Sequence, residues 1–128
     1  MEKRAVRTES APAPFQGAPY SQGIVAGDLV FVSGQLGIDP EGGHVVQGGI
    51  VEQTEQVMKN LAAILEEAGS SLDNVLMTSI FLIDLDDFAA MNEVYARHLR
   101  EPYPARATVQ IAALPSGARI EIAVVAHR

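Results

Sequence analysis

The chain has 128 residues, 48% of them hydrophobic, which fits one globular domain spanning residues 1–128 and excludes a disordered chain. It contains no cysteine, so disulfides and thiolate metal sites are excluded. Sixteen acids against nine lysines and arginines give a net charge of −7, which opposes binding to nucleic-acid backbones.

Arg4–Thr8 reads as a short edge strand. It runs into APAPFQGAPYSQG, where Pro12, Pro14, Pro19 and two glycines forbid regular structure. Three prolines make this loop rigid, as a functional loop would be, although a plain connector is equally compatible. Ser21–Ala26 and Leu29–Ser33, joined by Gly27-Asp28, predict a hairpin. The glycine-rich stretch GQLGIDPEGGHVVQGG then makes a small excursion before the first helix. That helix is predicted over Ile50–Ala68, where Ile50, Thr54, Val57, Met58, Leu61, Ile64, Leu65 and Ala68 form one stripe. Val75–Ile83 is apolar on both alternating faces, as a strand covered on both sides would be. A shorter helix follows from about Asp87 to Leu99, with Asp86 as N-cap and Phe88, Met91, Tyr95 and Leu99 facing inward. Strands over Ala105–Ala113 and Arg119–Ala126, separated by the turn LPSG, close the chain.

The order β-β-β-α-β-α-β-β implies an α+β fold with two helices on one face of a mostly antiparallel sheet. Two helices cover only one face, yet Val75–Ile83 is apolar on both. A homo-oligomer packing sheet against sheet is the simplest cover. No run approaches the ~18 apolar residues of a membrane span. MEKRAVRTES has no apolar stretch behind its basic residues, so the expected location is cytoplasmic, away from membranes.

Strand parity supplies the chemical candidates. Ala105, Ala107, Val109, Ile111 and Ala113 form one face of their strand, assigned to the helix-covered core. Arg106, Thr108 and Gln110 are then assigned to the face that meets another subunit. In the last strand Ile120, Ile122, Val124 and Ala126 take the core side, so Glu121 is expected to point the same way as Arg106. An arginine and a glutamate there are either an intersubunit salt bridge or part of a ligand site. Rigid backbone enters just before Arg106, and a fixed guanidinium is a bidentate clamp for a carboxylate. His44, His98 and His127 lack metal-ligand spacing, and Lys3 and Lys59 are poorly placed for Schiff-base chemistry. The glycines of residues 34–49 lack a phosphate-loop order, and GQLG is not a nucleophile elbow. Asn92, between Phe88 and Tyr95, reads as a buried polar group that fixes a loop.

The segments APYSQG, FVSGQLGIDP, QTEQVMKNLAAILEEAG, DFAAMNEVYARHL and PARATVQIAALPSGARIEI, with a terminal VVAHR, span nearly the whole chain. In them the sequence resembles the Rid family (reactive intermediate deaminases, also called the YjgF or L-PSP family), RidA subfamily. The resemblance implies a chorismate-mutase-like fold, a homotrimer with sites between subunits, and no cofactor or metal. It implies hydrolysis of 2-iminobutanoate and 2-iminopropanoate, and of their enamine tautomers such as 2-aminoacrylate, to 2-oxo acids and ammonia. It makes Arg106 the carboxylate-binding residue and Glu121 the acid that positions or activates water. Tyr20 would line the cleft, and Ser33 and Gly34 would lie along the ligand. Thr108 replaces the cysteine of some members, its main chain still able to touch the ligand. The alternative reading is a non-catalytic module of the same fold that binds carboxylate metabolites. Ribonuclease activity, attached to part of the family, is opposed by the acidic charge and the lack of a catalytic histidine pair.

Overall fold

A computed structural model describes residues 1–128. The element order is the expected one: β1 (Lys3–Val6), β2 (Gly23–Ala26), β3 (Leu29–Leu36), α1 (Ile50–Glu67), β4 (Val75–Leu82), α2 (Phe88–Arg97), β5 (Ala105–Gln110) and β6 (Ile120–His127). The strands make one six-stranded sheet in the order β1-β2-β3-β6-β4-β5. Every neighbouring pair is antiparallel except β4 and β5, which run parallel, so the sheet is mixed. The parallel pair is what the β4-α2-β5 crossover requires, because a strand re-entering the sheet through a helix arrives in the same direction.

Helix α1 forms where its apolar stripe predicts. The Glu52 carboxylate accepts the Gly49 N–H at 2.8 Å and secures the first turn. Val57, Met58, Leu61, Ile64 and Leu65 are buried against Val30 and Val32 of β3, Ile80 and Leu82 of β4, and Ile120, Ile122 and Val124 of β6. Each such side chain contributes roughly 1.5–3 kcal/mol relative to exposure. Asn60, on the same helix, is fully buried and donates to the carbonyls of Leu36 and Ile38, tying down the chain as it leaves β3. The glycine-rich stretch is the small excursion expected, closed by an Ile38–Val45 bridge.

Helix α2 departs from expectation at its start. Asp86 is not the cap: a 3-10 turn over Leu85–Asp87 precedes the helix, and Asp84 accepts the Asp86 N–H at 2.9 Å. Asp87 holds the N-cap position but spends its carboxylate on Arg119. Met91, Tyr95 and Leu99 are buried, whereas Phe88 keeps 39% of its surface exposed.

The second face of the sheet carries no helix. Register places Phe31, Met77, Ala107, Val109, Ala123 and Val125 on it, with Phe31 and Val109 exposed. Contiguous exposed apolar surface of this kind marks a face suited to covering by a partner.

Candidate active site

The strand pairings reverse one parity assignment. Arg106 pairs with Thr78, and Thr78 pairs with Val124, a core residue. Paired residues share a face, so Arg106 and Thr108 lie on the helix side, while Ala105, Ala107 and Val109 lie on the uncovered side. Glu121 pairs with Phe81, which pairs with Val109, and so faces the uncovered side. Within one chain Arg106 and Glu121 therefore point to opposite faces, two strands apart. The assignment failed because both faces of β5 border apolar surroundings, so apolarity could not say which set faces the helices. An Arg106–Glu121 salt bridge within the chain is excluded.

Arg106 sits in a half-buried cluster with α2. Its Nη1 donates to Asn92 Oδ1 at 2.7 Å, and its guanidinium carbon lies 5.3 Å from the Phe88 ring centre and 5.2 Å from that of Tyr95. Tyr95 is anchored by a 2.9 Å hydrogen bond between its hydroxyl and Thr78 Oγ1. Burial pushes the Tyr95 phenol above its ordinary pKa, so the ring stays neutral. Thr108 Oγ1, two residues along the same face, is enclosed and has no hydrogen-bond partner.

The second cluster is a cleft of about 390 Å³ on the other side. It brings together Tyr20, Ser33, Gly34 and Glu121 beneath a wall of Phe15, Leu36, Ile38 and Pro115. Ser33 and Gly34 lie where β3 slips register against β6, between Val32 and Gln35. Such a bulge re-aims side chains and is frequent beside active sites. Ser33 Oγ donates to the Ser21 carbonyl at 2.6 Å, joining the bulge to the proline-rich loop. In that loop Tyr20 Oη accepts the Phe15 N–H at 2.6 Å, bracing a turn in which Gln16 and Gly17 take positive φ. Gly34 leaves room for the Glu121 carboxyl, since a Cβ there would come within 2.5 Å of Glu121 Oε2 and displace it. The Glu121 carboxyl has no cation beside it, and burial raises its pKa above the carboxylate norm.

The histidines stand apart, His98 being held by Glu55 at 2.9 Å, and no three His, Asp or Glu side chains cluster to hold a metal.

The family model described as endoribonuclease L-PSP matches residues 8–128. The chain belongs to this family. The human 2-iminobutanoate/2-iminopropanoate deaminase is 42% identical over 97% of this chain and 89% of its own length. The crystal structure of RidA from the Antarctic bacterium Psychrobacter sp. PAMC 21119 superposes with a TM-score of 0.93 at 46% identity, covering 98% of this chain and 99% of that one. Escherichia coli TdcF with bound serine gives 0.90 at 35% identity, covering 98% of each chain.

In this L-PSP family chain, then, Tyr20, Ser33, Gly34 and Glu121 are brought together, whereas Arg106 and Thr108 stand elsewhere. The sequence reading missed what surrounds Arg106. Asn92 fixes no loop; it accepts from the guanidinium. The signal was available in the spacing of Phe88, Asn92 and Tyr95 at i, i+4 and i+7, which places all three on one helix face, and a βαβ crossover lays that face on β5.

Proposed function

We propose that this protein is a one-domain, cytoplasmic deaminase that hydrolyses small 2-imino acids to 2-oxo acids and ammonia. In this reading it acts as a homotrimer whose uncovered sheet faces pack together, and β5, at the sheet edge, carries Arg106 of one copy to a cleft shared with Glu121 of the next. The observation that carries it is complementary charge. Arg106 is the one arginine that is not exposed, and no carboxylate of its own chain lies within 4.0 Å; Glu121 is a desolvated acid with no cation. The likeness to the human deaminase and to a relative that holds serine supports the same substrate class.

The chemistry needs no covalent nucleophile, because an imine carbon is already electrophilic. Arg106 grips the carboxylate through two parallel charge-assisted hydrogen bonds. Glu121 takes a proton from water as the water oxygen bonds to the imine carbon and the C=N π pair moves to nitrogen, then returns that proton to the nitrogen. The resulting carbinolamine expels ammonia and leaves the 2-oxo acid. General-base assistance of this kind is worth on the order of 10²–10⁴ in rate. The word endoribonuclease in the family's description does not fit this chain's net charge of −7 and separated histidines.

Mixed assembly tests the reading. Arg106→Ala and Glu121→Gln chains should each be nearly inactive alone. Co-assembled, they should recover about a quarter of wild-type turnover, because random mixing leaves that share of interfaces with both groups intact. A mixture no more active than its components would rule out a shared site. Binding of 2-oxobutanoate without turnover by the wild type would favour the non-catalytic module instead.

A further inference from the structure

A half-buried guanidinium ordinarily recruits an acid, since desolvated charge without compensation is costly. This chain has 16 acids to offer, one of them, Glu93, on α2 and another, Asp87, at its N-cap, yet none serves Arg106. Asp87 is turned to Arg119 and Glu93 to Arg97. What meets Arg106 is one amide oxygen at 2.7 Å and two ring faces at 5.2 and 5.3 Å. Ring faces steady a cation by roughly 0.5–2 kcal/mol without neutralising it. The amide oxygen fixes one N–H of the fork and leaves the others for a planar partner. The Tyr95 ring is itself held, being only 6% exposed and tied to Thr78, which is 2% exposed.

We propose that Asn92, flanked by Phe88 and Tyr95, forms a charge-neutral cradle that orients Arg106 and keeps its positive charge uncompensated for an incoming carboxylate. Asn92 is then a positioning residue, and its neutrality, not its shape, is what the site requires. The proposal rests on reading Arg106 as the carboxylate clamp. Aspartate matches asparagine in shape but would close an ion pair with Arg106 and compete with the substrate.

Two substitutions separate charge from shape. Asn92→Asp in the full-length protein should raise KM for 2-iminobutanoate and weaken 2-oxobutanoate binding by about tenfold or more, with kcat little changed, as expected when a buried charge is satisfied internally. Asn92→Ser, smaller but neutral, should stay within a few-fold of wild type in both. A merely structural Asn92 gives the opposite ranking, with aspartate tolerated better than serine, and that ranking overturns the proposal. Should Asn92→Asp fail to fold, Phe88→Leu takes its place, because that ring is partly exposed. It should raise KM several-fold at constant kcat, and an unchanged KM overturns the cradle. A wild type that binds 2-oxobutanoate but does not deaminate defeats the deaminase reading alone, and the binding ranks still decide the cradle. A wild type that binds no carboxylate defeats both.

Discussion

Around Arg106 the surroundings are neutral and polarisable, an amide oxygen and two aromatic faces, and the side chain is aimed by α2. Around Glu121 they are a bulged strand, a glycine whose missing side chain leaves space for the carboxyl, and an apolar wall. One region steadies a cation without cancelling it; the other withdraws an anion from water without pairing it. Each is packed by its own chain, so neither needs the other in order to form. In the reading proposed above, a site divided between two faces of a sheet would be pre-shaped in each chain and completed by assembly.

The largest expected effect breaks the cationic half. Arg106→Ala should lower kcat/KM for 2-iminobutanoate by about 10³-fold, near the upper range for losing one side of a desolvated charge pair. Size-exclusion chromatography should show the oligomer unchanged, because the side chain lies on the helix side of the sheet and not on its open face. Arg106→Lys should remain poor, since an ammonium cannot reproduce the fork. If Arg106→Ala turned over at near the wild-type rate, the division of labour proposed for the two regions would be wrong.

Breaking the anionic half should cost somewhat less, about 10²-fold for Glu121→Gln, and should also change the pH profile. A general base works deprotonated, so activity rises with pH through its pKa. Burial displaces that pKa upward, so the acid limb of kcat/KM should lie above the ordinary carboxylate range. The limb should vanish in Glu121→Gln. An identical limb in wild type and variant would assign the titration to another group.

A subtler test leaves both charges in place. Gly34→Ala puts a methyl group within 2.5 Å of Glu121 Oε2. Because Gly34 does not have positive φ, its backbone tolerates alanine, and the flexible end of the glutamate is what gives way. Activity should fall about tenfold, the scale of a modest misplacement of a catalytic group, while the melting temperature stays nearly constant. A large drop in melting temperature would show that the bulge serves the sheet and not Glu121.

Much of the fold was legible because α1, β4 and the closing strands carry their period in their own residues. The uncovered face could be inferred from Val75–Ile83, which is apolar at both parities. Which face Arg106 takes was not legible: both sides of β5 border apolar surfaces, so its alanines and valine look the same whichever way they point. Nor was the task of Asn92, since its partner lies across a crossover, 14 residues away. Asp86 looked like a cap on local grounds, but Asp84 engages its N–H and a 3-10 turn intervenes before the helix. Glu121 was placed correctly because the isoleucines and valine around it leave one parity for the core.

The smallest effect concerns the loop that roofs the anionic cleft. Tyr20 is 44% exposed, and its hydroxyl accepts the Phe15 N–H at 2.6 Å. Tyr20→Phe keeps the ring and removes that acceptor, so the turn at Gln16 and Gly17 loses one brace. An exposed hydrogen bond of this sort contributes about 0.5–1 kcal/mol, so KM should rise about two- to fivefold with kcat nearly unchanged. The direction of that split is the informative part. If kcat falls and KM does not, the hydroxyl acts on the reacting atoms and is not simply shaping the wall, and Tyr20 joins Glu121 in the chemistry of the cleft.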